Sequence, residues 1–160
     1  MRVQPWLVVL AVAGTLVGAD QAAGEERTTL ELTAGRTLMS APANLAVGMG
    51  FVSGGDPSDG AGRAKVGEGY SHCGITKVSA SVPPAVTAHC TSVFRLADGE
   101  LHLSGLREYK SIANGFESTT KAVVGGTGKY ANARGEVEVA RATAANGIAA
   151  AYRFTFDLVD

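Results

Sequence analysis

Several things are scarce in this chain, and each scarcity removes a class of function. Charged residues make up 18% of the 160 residues, where a soluble domain averages about 25%. Lys and Arg number 14 against 15 Asp and Glu, and no basic stripe stands out. That leaves no electrostatic support for a nucleic-acid face or a polybasic membrane contact. There are only two cysteines, too few for a multi-bridge scaffold or a cysteine-only metal cage. No segment carries the apolar period of an ordinary helix, no repeat of fixed length recurs, and no linker marks off a second domain.

Long apolar runs are missing too, except at the start. Trp6 to Val17 is apolar, but it falls short of the roughly 20 residues of a membrane span. Arg2 precedes it and Val17-Gly18-Ala19 follows, which is the pattern of a secretory leader cut after Ala19. A cut after Gly24 is the fallback, and a retained anchor helix is the alternative. No cysteine follows the run, which argues against a lipoprotein anchor. The expected divisions are a leader at 1–19, a loose polar arm at 20–29 and one domain at 30–160. The expected location is extracellular, with no membrane contact once the leader is gone.

In an exported chain Cys73 and Cys90 default to one disulfide. It would close a loop of about 16 residues, worth up to ~3 kcal/mol in the chain-entropy model. Each cysteine follows a histidine, in Ser71-His72-Cys73 and Ala88-His89-Cys90, and two His with two Cys make a zinc set. Strand geometry opposes that reading, because neighbouring residues point to opposite faces. No metal is expected, and free thiols are the remaining alternative. If the cysteines bridge two strands on one face, His72 and His89 share the other.

What is abundant is glycine, with 21 residues, and short alternating runs between turn signals. Thr28 to Ala34 reads as a first strand, Ala85 to Leu96 as a long one, and Glu100 to Leu106 as its hairpin partner across Asp98-Gly99. Ser53 to Arg63 reads as a loop, Tyr109 to Gly115 as another, and Ala145-Asn146-Gly147 as a turn. Near the end, Tyr152, Phe154, Phe156 and Leu158 share one face. About eight or nine short strands follow, which predicts an all-β sandwich or closed barrel. An eight-stranded barrel is wide enough to hold one small ligand.

Val123 to Val139, "VVGGTGKYANARGEVEV", opens like a phosphate loop and then departs from one. The position five residues before Gly128-Lys129 is Val123, not glycine, and Tyr130 stands where a Ser or Thr would meet magnesium. Period-two alternation follows, so these glycines serve a strand-to-strand turn.

The stretch Gly99 to Gly105, followed by Val124 to Gly135, resembles the signature of the dirigent and allene oxide cyclase barrel superfamily. The segment from Gly55 to Cys73 is similar to that family's aspartate loop and following strand. The cysteines also fall where exported bacterial members often carry them. The resemblance implies an eight-stranded antiparallel barrel with an apolar cavity. It further implies a hydrophobic small-molecule partner, chemistry by confinement without a cofactor, and assembly as a homodimer or homotrimer. It assigns catalytic candidates at Asp56 and Arg134. Lys129 departs from the acidic residue that plant dirigents often carry, and the residue pattern of the plant cyclases is not found. The candidates for lining the cavity are His72, His89, Tyr130 and Tyr152. Each has a structural alternative: Asp56 as a turn residue, Arg134 in a surface ion pair, Tyr130 as hairpin packing, Tyr152 as core. Three functions stay open: a cofactor-free cyclase or stereocontrol protein, a carrier of a hydrophobic ligand, and an exported interaction protein.

Overall fold

Period-two alternation in the sequence becomes ten strand segments in the computed structural model, which describes residues 26–143 and 150–159. They are β1 (Arg27–Gly35), β2 (Leu38–Ser40), β3 (Gly50–Gly55), β4 (Pro57–Asp59), β5 (Gly67–Val78), β6 (Val86–Leu96), β7 (Gly99–Tyr109), β8 (Thr119–Gly126), β9 (Arg134–Ala142) and β10 (Ala151–Val159). A single 3-10 turn at Gly128–Tyr130 is the one helical piece among the described residues. The leader and the turn at Ala145–Gly147 lie outside them, as does the arm up to Glu25. β1 takes in Arg27 to Thr29, the last residues of the expected arm. No helix of the described residues is long and apolar enough to cross a membrane.

Every neighbouring pair is antiparallel, and the pairings run round in a ring. β1 and β2 are one strand broken at Arg36-Thr37, and β3 and β4 are one strand broken at Asp56. The two broken strands lie side by side, with Ala34 opposite Pro57 and Leu38 opposite Gly54. β10 flanks the first on its far side, and β5 flanks the second. β6, β7, β8 and β9 complete the circuit. Counted this way the described residues form eight strands with no free edge among them. The closure is tight at Gly55, where a Cβ would stand 1.9 Å from the Gly35 carbonyl oxygen. Only glycine fits that approach.

Alternation decides which side chains enter the ring. On β7, Leu101, Leu103, Arg107 and Tyr109 are buried, with Gly105 between them, while the residues in the opposite phase look outward. Phe94 packs edge-on against Phe154 and Phe156 at 4.9 and 5.9 Å. Fully burying each such ring stabilises the fold by about 1.5–3 kcal/mol. Cys73 and Cys90 stand directly opposite on β5 and β6 and are joined in a disulfide inside the barrel. Their sulfurs are therefore unavailable to a metal.

The GGTG turn docks on the β6–β7 hairpin. Thr127 Oγ1 accepts from the Glu100 N–H at 3.1 Å, and the Lys129 N–H donates to the Asp98 carbonyl at 2.9 Å. Gly128, at φ +57°, has no room for a Cβ, which would meet Asp98 O at 2.4 Å. The motif is thus a clasp between two turns. Two segments differ from expectation. Ser53 to Arg63 is mostly strand, with β3 and β4 filling it and a turn only at its end. Its glycines permit close strand approach rather than a loop. β7 runs on to Tyr109, past its expected end at Leu106 and into the expected loop. β5 is one 12-residue strand, with a bulge against β6 between Ile75 and Lys77.

Candidate functional site

One end of the barrel is not filled by its own side chains. A cavity of about 60 Å³ lies there, walled by Ala34, Gly69, Phe94, Phe116, Tyr152 and Phe154 and floored by Ser71, Arg107 and Tyr109. Gly54, Gly55 and Gly69 help to open it by withholding side chains. Its outer part passes Met39 and Tyr70, and Tyr70 is 50% exposed.

Arg107 and Ser71 of the floor join a hydrogen-bonded cluster that runs beneath it to Ser92 and Lys121, which do not line the cavity. Arg107, 3% exposed, and Lys121, 1% exposed, both point inward from β7 and β8. Lys121 Nζ donates to Ser92 Oγ at 2.8 Å. One Arg107 Nη donates to Ser92 Oγ and Ser71 Oγ, each at 3.1 Å. The two serine oxygens are 2.8 Å apart. Two N–H donors fill the acceptor capacity of Ser92 Oγ, so its own hydrogen goes to Ser71. Ser71 Oγ then accepts twice and keeps its hydrogen free. Arg107 Nε is buried with no partner at all.

Aromatic rings hold the guanidinium in place. It lies 4.3 Å over the centre of Phe116, a cation–π contact strengthened by burial. Phe116 stacks flat on Tyr152 at 3.9 Å. The Tyr152 hydroxyl accepts from the Phe116 N–H at 2.8 Å and donates to the Phe116 carbonyl. Burial raises the pKa of Tyr152 despite those backbone bonds. Burial likewise raises Tyr109, against the pull of Arg107. Lys121 moves the other way: burial first, then the charge of Arg107, lowers it from 10.5 to about 6.

Of the expected cavity residues, Tyr152 lines the wall. His72 and His89 do not. The disulfide takes the inner phase of β5 and β6, so the alternation that pairs the histidines on one face makes that face the outer one. Both are exposed, standing opposite Thr91 and Gly74, and His89 bonds Ser104 at 2.9 Å. Tyr130 is buried in the 3-10 turn, away from the cavity lining, and packs the clasp between Gly126 and Asp98. Asp56 pairs with Lys65 at 2.9 Å, both side chains more than half exposed. Arg134 donates to the Ala133 carbonyl at 2.8 Å. Neither is among the lining residues.

Arg107 and Lys121 were the residues to find. Arg107 continues the inward phase of Leu101, Leu103 and Gly105, and Lys121 is two residues before Val123, also inward. A charged residue in phase with an apolar face is the signal.

The model of the allene oxide cyclase barrel like domain matches residues 28–151. The chain belongs to that family. No curated protein matches it by sequence. Among solved structures the chain is similar to a pyocyanin demethylase, at 22% identity and a TM-score of 0.60, over 81% of this chain and 100% of that one. It is similar to the pterocarpan synthase dirigent protein GePTS1, at 16% identity and a TM-score of 0.59, over 94% and 96%. It also resembles AbnU, an exo-specific intermolecular Diels–Alderase, at 17% identity and a TM-score of 0.58, over 84% and 99%. At these identities the likeness is one of fold. The family barrel, the ring of strands and the cavity at its end agree.

Proposed function

We propose that this family barrel is exported, takes up a hydrophobic small molecule at its open end, and steers that molecule's cyclisation, isomerisation or coupling without a cofactor. The observation that carries the reading is the cavity itself: apolar and aromatic walls above a fixed cluster of donors. Walls of that kind hold a flexible substrate in one conformer, which is catalysis by orientation. Preorganised donors stabilise negative charge developing on a carbonyl or enol oxygen, in a site screened from water. The barrels of similar fold, a Diels–Alderase, a pterocarpan synthase and a demethylase by name, act on small molecules and lend the reading support. Export fits the leader pattern and the disulfide.

A second reading has its own observation. Among the described residues no carboxylate lines the cavity, and Lys121 gives its hydrogen to Ser92, so a general base must come from the ligand or not at all. In the last case the protein is a carrier. The discriminating experiment mixes the protein with an extract of the metabolites its host secretes. Mass spectrometry with chiral separation then follows the bound and free fractions. A new isomer of unchanged mass, formed only with protein present, supports steering. A compound retained but unaltered supports the carrier, and retention of nothing overturns both.

A further inference from the structure

A guanidinium and an amine sit inside this barrel without a carboxylate partner among the described residues. Among the described residues neither Arg107 nor Lys121 makes a salt bridge, nor does Arg36 at the cavity's edge. Arg36 instead donates to the Ile112 and Ala113 carbonyls. Buried charges are as a rule paired, and the fixed charge here is Arg107, since a guanidinium does not give up its proton. Its neighbours leave it undersatisfied. The serines take one Nη, Phe116 covers a face, and Nε–H finds no acceptor. Ser71 adds a free O–H at the same floor. Arg107 and Ser71 therefore turn hydrogen-bond donors to the cavity floor, beside the Tyr109 hydroxyl, which can give or receive.

Resting on the small-molecule reading above, we infer that the ligand is an apolar molecule ending in one anionic oxygen group, a carboxylate or phenolate, and that it binds head-first with that group on Arg107 and Ser71. With one Nη committed to the two serines, the head takes a charge-assisted bond from the other Nη and a second from Ser71. The room agrees. About 60 Å³ is space for a head group rather than for a whole ring system, since a cavity of roughly 150 Å³ is the size that admits benzene. The rest of the molecule then lies along Phe154, Met39 and Tyr70 toward the opening. Arg107 becomes the residue that sets ligand specificity, and the family's aromatic wall becomes the site of the body.

The test is a calorimetric titration of the protein with cinnamate, and with methyl cinnamate as its uncharged twin. The acid should bind about 10- to 100-fold more tightly than the ester, the span expected for a hydrogen bond to a charged partner. Arg107→Gln should erase that preference. Arg107→Lys, which keeps the charge and loses the planar set of donors, should retain part of it. The wild-type comparison stands even if a variant fails to fold. Equal binding of acid and ester overturns the anionic head and leaves the small-molecule reading intact. An acid preference that survives Arg107→Gln overturns the role of Arg107. Binding of neither at millimolar concentration overturns both readings.

Discussion

Lys121 is an amine held where an amine is expensive to ionise. Its pKa falls from 10.5 to about 6 through burial and the adjacent Arg107. Between those values the unfolded chain binds a proton that the folded chain does not, so stability rises with pH from about 6 toward 10.5. The cost is present in full below the lower value. Lys121→Met should flatten that slope and, at neutral pH, add about 1–4 kcal/mol, as replacing buried charge with apolar volume often does. Urea melts at several pH values check it, and a destabilised variant or a flat wild-type profile contradicts it. Surface carboxylates behave differently. Asp56 faces Lys65 with both side chains in water, so Asp56→Asn should cost less than ~1 kcal/mol. It and Arg134→Gln should leave cinnamate binding unchanged in the same titration.

At the scale of elements, the disulfide and the closure are the two devices that fix the barrel. Replacing Cys73 and Cys90 by Ala should lower stability by about 2–5 kcal/mol in thermal or denaturant melts. On reduction the intact mass should rise by two hydrogens, and an unchanged mass would mean no bridge. Gly55→Ala forces a Cβ against backbone that has nowhere to go, and a loss of ~1–3 kcal/mol or more is expected. The strands themselves were legible because alternation is a local signal: β6 and β10 follow from the sequence nearly residue by residue, while β7 runs three residues past its expected end at Leu106. Ser53 to Arg63 was not, because its Gly and Asp content has the composition of a loop. The same glycines are what lets two broken strands close the ring. Inside and outside are likewise not local properties. Alternation grouped His72 with His89, but only the ring tells which face encloses the core. Arg107 and Lys121 hid for the related reason that a charged residue reads as a surface residue until its phase is compared with Leu103 and Val123.

On the scale of the whole molecule, the barrel joins an aromatic wall from β6 and β10 to a donor floor from β5 and β7, with the loop residue Phe116 clamping the guanidinium. No local segment contains this site. Seven strand segments and the loop residue Phe116, spread over 120 residues of sequence from Ala34 to Phe154, bring it together, and the family clasp at Gly125–Tyr130 holds the barrel without entering the cavity. Stability and function are thus in tension here. The buried charge of Arg107 costs the fold stability, and it is the group that the proposed anionic guest would meet. The most direct measurement is a two-dimensional amide NMR titration of the protein with cinnamate. Shifts concentrated at Ser71, Arg107, Phe116 and Tyr152, with His72 and His89 unmoved, are the predicted result. Shifts confined to the outer face around the histidines, or none at saturating ligand, would contradict the account.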